Sequence, residues 1–411
     1  MALKSTRPTR PRPCAARTRT AARATSDHRP PPNHKPRLPA AAERAAALCL
    51  SAIILAVTPL DADALLASPK RDLPRSAEAA LRRSIPSFNP HVAALQSELE
   101  SVQRYLRIPQ RKPWASMATS TQTAFELASD GDACLRGVLP PDIEKAHEML
   151  DGIQSDLSRL QRAIDVKDPE RTSIRVANAL ERLGEIELLQ SPGLKYQLPA
   201  RYANLPRLTG RAVLEMTVAP QAGGSKQVIE LTLDGFSAPL TSGRMLQNVI
   251  QKKYDGTIIR ADDTSIFVDT DKGGAALEGD LPLEIFARGD FEPVYRTELD
   301  VNDFDEIPLL PLSVDGALAA TRAGDGTSSS KEFFIYKYNR SQSGLAGLSF
   351  DEGKFAVFGY VTSDRDVVRL LNDGDRIERI RALSGADKLI NLATPDIPST
   401  AETNREDTRP E

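Results

Sequence analysis

The sequence predicts an α+β protein, with an N-terminal antiparallel helical bundle followed by a C-terminal β-barrel. Two periodicities carry that expectation. Between Ser76 and Gln190 apolar residues recur every three or four positions, and past Tyr196 they alternate singly with polar ones. The first 64 residues follow neither pattern and read as a leader.

The helices are bounded by their own signals. A short helix fits Ala77 to Arg83. Asn89-Pro90 is an N-cap followed by a first-turn proline, and Val92, Leu95, Leu99, Val102 and Leu106 then form a stripe that Ile108-Pro109 ends. A further helix fits Trp114 to Ser129. After Pro140-Pro141, Ile143, Ala146, Leu150, Ile153, Leu157, Leu160 and Ile164 keep the same spacing, and Asp168-Pro169 opens a last helix to about Gln190. Narrow stripes on long helices with short breaks between them predict an antiparallel bundle whose stripes are core.

The strands follow. Ala212, Leu214, Met216 and Val218 alternate with polar neighbours, as do Ile229, Leu231 and Leu233. Further strands are expected at Ser265–Val268, Leu283–Phe286, Lys331–Tyr338, Phe355–Tyr360 and Arg376–Leu383. Many short strands with glycine-rich turns predict a closed or nearly closed barrel. The expected organisation is a leader over 1–64, a bundle over 65–195, a linker over 196–209, a barrel domain over 210–390 and a disordered tail over 391–411.

The leader has two parts. Residues 1–44 hold eleven Arg or Lys against Asp27 and Glu43, amid Ala, Thr, Ser and Pro. That is the composition of an organelle transit peptide. Arg44, the apolar run Ala45 to Val57, and Ala62-Asp63-Ala64 then supply the basic flank, short apolar region and small-residue cleavage site of a second export signal. The apolar run falls short of the roughly 20 residues of a membrane span. Two addresses in series predict import to the chloroplast and export to the thylakoid lumen, with the working chain starting at Leu65.

The leader carries 11 basic and 4 acidic residues of the chain's 53 and 56, so the remainder holds 42 and 52, a formal charge of −10. An acidic body argues against nucleic acid, and it argues that any membrane association is peripheral at most. Cys14 and Cys49 lie in the leader, leaving Cys134 alone with no zinc-site spacing. His91 and His147 both lie in the helical half, so the barrel holds no Ser-His-Asp site. No Walker-type phosphate loop is present, Asp373-Gly374-Asp375 lacks a calcium loop's spacing, and no cofactor is expected.

Ile229 to Met245, with Pro239 and Thr241 in a Pro-x-Thr turn, followed by Tyr254-Asp255-Gly256, resembles the opening of a cyclophilin. Glu332-Phe333-Phe334-Ile335 is similar to that family's Gln-Phe-Phe-Ile strand, and Asp351 to Gly359 to its Asp-Gly-Lys-x-Val-Phe-Gly turn. Ala80 to Pro86, Leu106 to Pro113, Phe291 to Thr297 and Ser343 to Gly353 narrow the resemblance to the large thylakoid-lumen cyclophilins of plants and algae. The resemblance implies a cyclophilin-like barrel, peptidyl-prolyl cis-trans isomerase activity, and a role in folding or assembly of photosynthetic complexes. It also implies partners that are proline-containing peptide segments or photosystem II subunits.

The same resemblance implies the site. Arg260 stands for the catalytic arginine, and Glu332, Phe333, Phe350 and Phe355 for substrate-binding positions. Glu332 replaces a glutamine, Phe350 a tryptophan and Phe355 a histidine, while Arg322 stands where an asparagine is usual. The stretch Ala261 to Ser265 puts acids and hydroxyls where the family has an apolar wall. The expectation is therefore weak or absent catalysis, with Asp262 and Asp263 available to pair with Arg260. A fully active isomerase is the alternative, and a purely structural photosystem subunit is a third reading.

Overall fold

In the computed structural model the described residues are 73–109, 111–270, 281–301, 306–339, 348–363 and 365–390. The expected leader, its cleavage site and the expected disordered tail lie outside them. From Ala67 onward the chain is one unit, and its two halves are built as their periodicities require.

The helical half contains α1 (Ala77–Ser84), α2 (Pro90–Leu106), α3 (Trp114–Ser129), the short α4 (Gly131–Cys134), α5 (Ile143–Asp165) and α6 (Pro169–Leu189). Each long helix starts where its signal lies. The Asn89 side chain accepts from His91 N and Val92 N at 3.0 and 3.4 Å, and Asp168 accepts from Glu170 N and Arg171 N at 3.1 and 3.0 Å. These caps satisfy amides that the helix itself leaves unpaired. The stripes meet in one core that includes Leu95, Leu99, Ile153, Leu157, Leu180 and Leu183, all essentially inaccessible. Cys134 belongs to that core, and burial with the nearby Asp130 charge pushes its thiol up to about 11.

The second half comprises β1 (Arg207–Leu208), β2 (Arg211–Ala219), β3 (Gln227–Asp234), α7 (Pro239–Ile250), β4 (Arg260–Ala261), β5 (Ser265–Val268), β6 (Leu281–Pro282), β7 (Glu284–Ile285), β8 (Val294–Tyr295), β9 (Ala317–Gly324), β10 (Thr327–Tyr336), β11 (Val357–Val361), α8 (Arg365–Val368), β12 (Arg376–Ser384) and β13 (Leu389–Ile390). The main sheet runs β12-β2-β3-β11-β9-β10-β5-β4, antiparallel throughout. Backbone bonds from Gly256 N to Ile377 O (2.7 Å) and Ile259 N to Asp375 O (2.9 Å) bring its two edges together, which closes the barrel. Its inner face holds Leu214, Met216, Leu231, Leu318, Phe333 and Phe358, and α7 adds Met245, Leu246 and Val249.

Strands β9 and β1 are among the elements that differ from expectation. Strand β9 is absent from the sequence reading because Ala317-Leu-Ala-Ala carries little β-propensity. It lies between two strands and is buried on both faces, Leu318 and Ala320 inward and Ala317 and Ala319 outward, where small side chains let its neighbours pack across it. The stretch expected as linker ends in β1, which pairs with β13 in register Arg207↔Ile390 and Leu208↔Leu389.

Helix α1 joins the halves. Ala77, Ala80 and Leu81 pack with Leu310, Leu312, Val314 and Tyr360 on the outside of the barrel. Its C-terminal end is clamped by Asp234, which is wholly buried. Asp234 accepts a hydrogen bond from the Ser84 hydroxyl and pairs with Arg211 at 3.2 Å, while Arg211 also donates to the Leu81 carbonyl.

Candidate functional site

The register of four strand pairings sets one row of side chains across the outside of the barrel. Arg260 on β4 stands opposite Phe267 on β5, Phe267 opposite Phe334 on β10, Phe334 opposite Ala319 on β9, and Ala319 opposite Val357 on β11. Directly paired residues in an antiparallel sheet point to the same face. The result is an arginine at one end of an aromatic strip.

The contacts within the strip are close. The Arg260 guanidinium carbon lies 5.2 Å from the Phe267 ring centre, within cation–π range. Phe267 and Phe334 are 5.9 Å apart, and Phe355 meets Phe334 edge-on at 5.1 Å. Tyr336 extends the strip, with its ring 6.5 Å from Phe334. Phe334 is almost covered, whereas Phe267, Phe355 and Tyr336 are half-buried and offer apolar surface to solvent.

Glu332, two residues before Phe334 and so on the same face, forms an ion pair with Arg260. The expected pairing of Arg260 with Asp262 or Asp263 is not made. Asp262 instead accepts from Thr264 N, Thr264 Oγ1 and Ser265 N at 2.7, 3.0 and 2.7 Å, closing the β4–β5 turn. Partial burial acts to raise its pKa, but those hydrogen bonds together hold it below the usual carboxylate range.

Two positions expected to bind substrate stand elsewhere. Phe333 points into the barrel, where its ring meets Tyr254 edge-on at 5.6 Å and Phe358 at 5.8 Å. Strand alternation is the reason: successive side chains face opposite ways, so Phe334 and not Phe333 lies on the outer face of the sheet. Phe350 is 74% exposed and takes no part in the ring contacts of the strip. Glu332 and Phe355 do join Arg260 on the outer face. Arg322 lies beside them, donating to Glu298 Oε1 at 2.7 Å and to the Lys354 carbonyl at 2.8 Å.

The loop bearing Phe350 and Phe355 is pinned from beneath. Glu352 is buried and accepts from Leu312 N and Ser313 N at 2.7 and 2.9 Å; burial raises its pKa against the pull of those bonds. Gly353 follows with φ of +80°, and a side chain there would strike Leu299 and Val301, so the turn requires glycine. Neither Phe267 nor Phe334, which the structure sets on the outer face beside Arg260, was among the expected site residues. Period two counted outward from Glu332 gives Phe334 directly, whereas Phe267 emerges only once the β5–β10 register is known. Among the described residues, no three His, Cys, Asp or Glu side chains gather as a metal site.

The arrangement is thus a closed antiparallel barrel that carries on its outside an aromatic strip ending in an arginine paired with a glutamate. The family profile for cyclophilin type peptidyl-prolyl cis-trans isomerase matches residues 217–389, and that described as peptidyl-prolyl cis-trans isomerase CYP38-like, PsbQ-like domain matches 76–189. The chain is 38% identical to chloroplastic peptidyl-prolyl cis-trans isomerase CYP37 of Arabidopsis thaliana, over 80% of this chain and 73% of that one. It is 30% identical to a putative thylakoid lumen peptidyl-prolyl cis-trans isomerase of Synechocystis (76% and 83% covered) and 27% identical to chloroplastic CYP38 of Arabidopsis thaliana (76% and 75%). The chain belongs to the cyclophilin-type peptidyl-prolyl cis-trans isomerase family, in a form that carries a PsbQ-like helical domain ahead of the barrel.

Proposed function

We propose that this protein works in the thylakoid lumen as a folding or assembly factor for photosynthetic complexes. In this reading it holds proline-containing segments on the Phe267–Phe334–Phe355 strip and isomerises them weakly or not at all. The compartment is supported by the serial basic, apolar and Ala-Asp-Ala leader, by the chloroplastic names of two relatives and by the lumenal name of the third. Photosystem II subunits are the expected clients.

One observation carries the reading on catalysis: Arg260 is paired with Glu332. Twisting a prolyl amide out of its plane costs about 20 kcal/mol, so a catalyst must favour the twisted form over the planar one. A guanidinium already held by a carboxylate offers less of that preference. Two further donors are replaced by rings, at Phe350 and Phe355. The strip still supplies apolar surface for a proline ring, which preserves binding.

The alternative, an active isomerase, draws on the weakness of the same pair. Its partners are 64% and 21% exposed, and pairs of that kind contribute only about 0–1 kcal/mol. A substrate carbonyl can compete for Arg260 at that cost. A protease-coupled prolyl-peptide assay on the chain from Leu65 separates the two. Turnover near the uncatalysed rate, with retained peptide binding, is expected; turnover typical of an ordinary cyclophilin and abolished by Arg260→Ala would overturn the reading.

A further inference from the structure

The described residues also form concavities away from the prolyl strip. Between α1, α2, α6 and the loop around Arg288 lies a cavity of about 750 Å³. Four arginines (Arg82, Arg83, Arg104 and Arg288) face two glutamates there, Glu100 and Glu187. The excess is positive even with both acids ionised, in a body whose net charge is −10.

Two of these groups are left incomplete. Arg82 is 7% exposed and Glu187 4%, yet Arg82 Nε and Glu187 Oε2 have no hydrogen-bond partner among the described residues. Buried donors and acceptors are nearly always satisfied, and each one left open costs about 1–3 kcal/mol. Burial pushes the Glu187 carboxyl up to about 8, against the pull of Arg82 and Arg211, so at neutral pH it keeps its proton and the arginine excess grows.

An apolar cleft of about 360 Å³ adjoins this cavity. Both are lined by Arg83, Ile85, Ser87, Gly289 and Leu309, so together they form one groove across the α1–α2 connection. Its far end is aromatic. Tyr196 and Phe286 meet edge-on at 5.7 Å, and Phe88 and Phe291 stand 78% and 92% exposed at the rim. Lys195 Nζ lies 3.6 Å from the Phe88 ring centre. Exposed phenylalanines beside a formed cleft are the usual mark of a recognition surface.

We infer that this groove is a second polypeptide-binding site, taking an extended partner segment with a carboxylate side chain in the arginine end and an aromatic or proline side chain in the aromatic end. Charge complementarity selects that occupant: Arg82 and Arg83 already share Glu100, at 3.3 and 2.8 Å, so an incoming acid offsets part of the remaining arginine charge, while Asp290 and Glu292 at the other end favour a ring there, against Phe88 and Phe291. None of the groove's residues belongs to the prolyl strip, so the inference stands whether or not the strip catalyses. Helix α1 joins the two sites, since Ala77, Ala80 and Leu81 pack in the cluster that contains Phe334 while Arg82 and Arg83 line the cavity.

The test is fluorescence polarisation with a labelled, end-blocked and proline-free peptide of sequence Glu-Asp-Gly-Phe-Gly-Gly and the chain from Leu65, at low and moderate salt. Saturable binding is expected, weakened about tenfold when the peptide's acids become amides and about tenfold by Phe88→Ser with Phe291→Ser, with Arg260→Ala leaving it intact. Both phenylalanines are exposed, so the double variant keeps its fold, which circular dichroism checks. Binding that survives the Phe88/Phe291 and Arg288→Ala changes, binding lost in Arg260→Ala, or no saturation up to about 1 mM each overturn the inference.

Discussion

Arg260 and Phe334 stand in one row on the outside of the barrel, each directly opposite Phe267 on the strand between them. Their cooperation is set by backbone register rather than by proximity in sequence. A one-residue slip of β5 against either neighbour would turn Phe267 into the core and separate the cation from the ring face. Glu332 lies two residues from Phe334 on the same strand and face, and there it pairs with Arg260.

Replacing that acid by the amide usual in the family should therefore raise activity. Glu332→Gln keeps the shape and removes the charge. Since the exposed pair contributes at most about 1 kcal/mol, the expected gain in kcat/KM is no more than about fivefold. The protease-coupled assay reads it. An unchanged or lower value in a folded Glu332→Gln protein would mean that the pair does not limit Arg260.

The two adjacent phenylalanines should divide into one stability role and one binding role. Phe333→Leu and Phe334→Leu each remove buried ring surface, at a cost on the order of 1–2 kcal/mol in urea unfolding. Only Phe334→Leu should also weaken binding of a proline-containing peptide, by several-fold. Equal loss of binding in both variants would show that the strip responds to general loosening of the barrel.

The helical half was legible almost to the residue because its signals are local. Asn89-Pro90 and Asp168-Pro169 are caps whose chemistry does not depend on the rest of the fold, and stripes such as Leu95–Leu99 report one buried face. The barrel was legible in its alternating strands and obscure in β9, where burial on both faces selects alanine and erases alternation. At the site, Arg260, Glu332 and Phe355 could be placed by motif. Phe333, expected at the site, faces the core, and Phe267 could not be found at all, because its place beside Arg260 depends on strand pairing that no local pattern encodes. The ion pair between Arg260 and Glu332, 72 residues apart, is of the same kind.

Stability should fall as pH rises toward 8. Burial pushes Glu187 up to about 8 and Glu284 up to about 7, while an unfolded glutamate titrates near 4.3. A carboxyl whose folded pKa is raised contributes its stability fully below the unfolded value and loses it as pH climbs through the folded one. Melting temperature should thus decline between about pH 5 and 8. Glu187→Gln should flatten that decline and melt higher than the parent at the alkaline end. A parent and variant with parallel profiles would assign the pH dependence to other groups.

Cys134 should behave as an inert core thiol. Its burial and its pKa of about 11 leave almost no thiolate at neutral pH, and the thiolate is the reactive form. Among the described residues it is the free cysteine and lies inside the bundle. A thiol reagent such as Ellman's should label the native chain from Leu65 slowly and label it promptly in urea. Rapid labelling of the native protein would show that the bundle opens around α4.

The Asp234 clamp should hold α1 to the barrel and keep both sites in place. Asp234 is fully buried, receives the Ser84 hydroxyl, pairs with Arg211, and accepts from Ser237 N at 3.0 Å. Removing one member of such a group leaves a cation desolvated and unpaired, so Asp234→Ala should cost about 3–5 kcal/mol. Arg211→Ala in the same background should recover part of that loss, because it removes the stranded charge. The double-mutant cycle by urea unfolding measures this coupling. Limited proteolysis should show the clamp's local role: in Asp234→Ala, cleavage within 73–88 is expected before cleavage in the barrel. Loss of both halves together, with no early cut in that segment, would mean that Asp234 supports the barrel itself rather than the docking of α1.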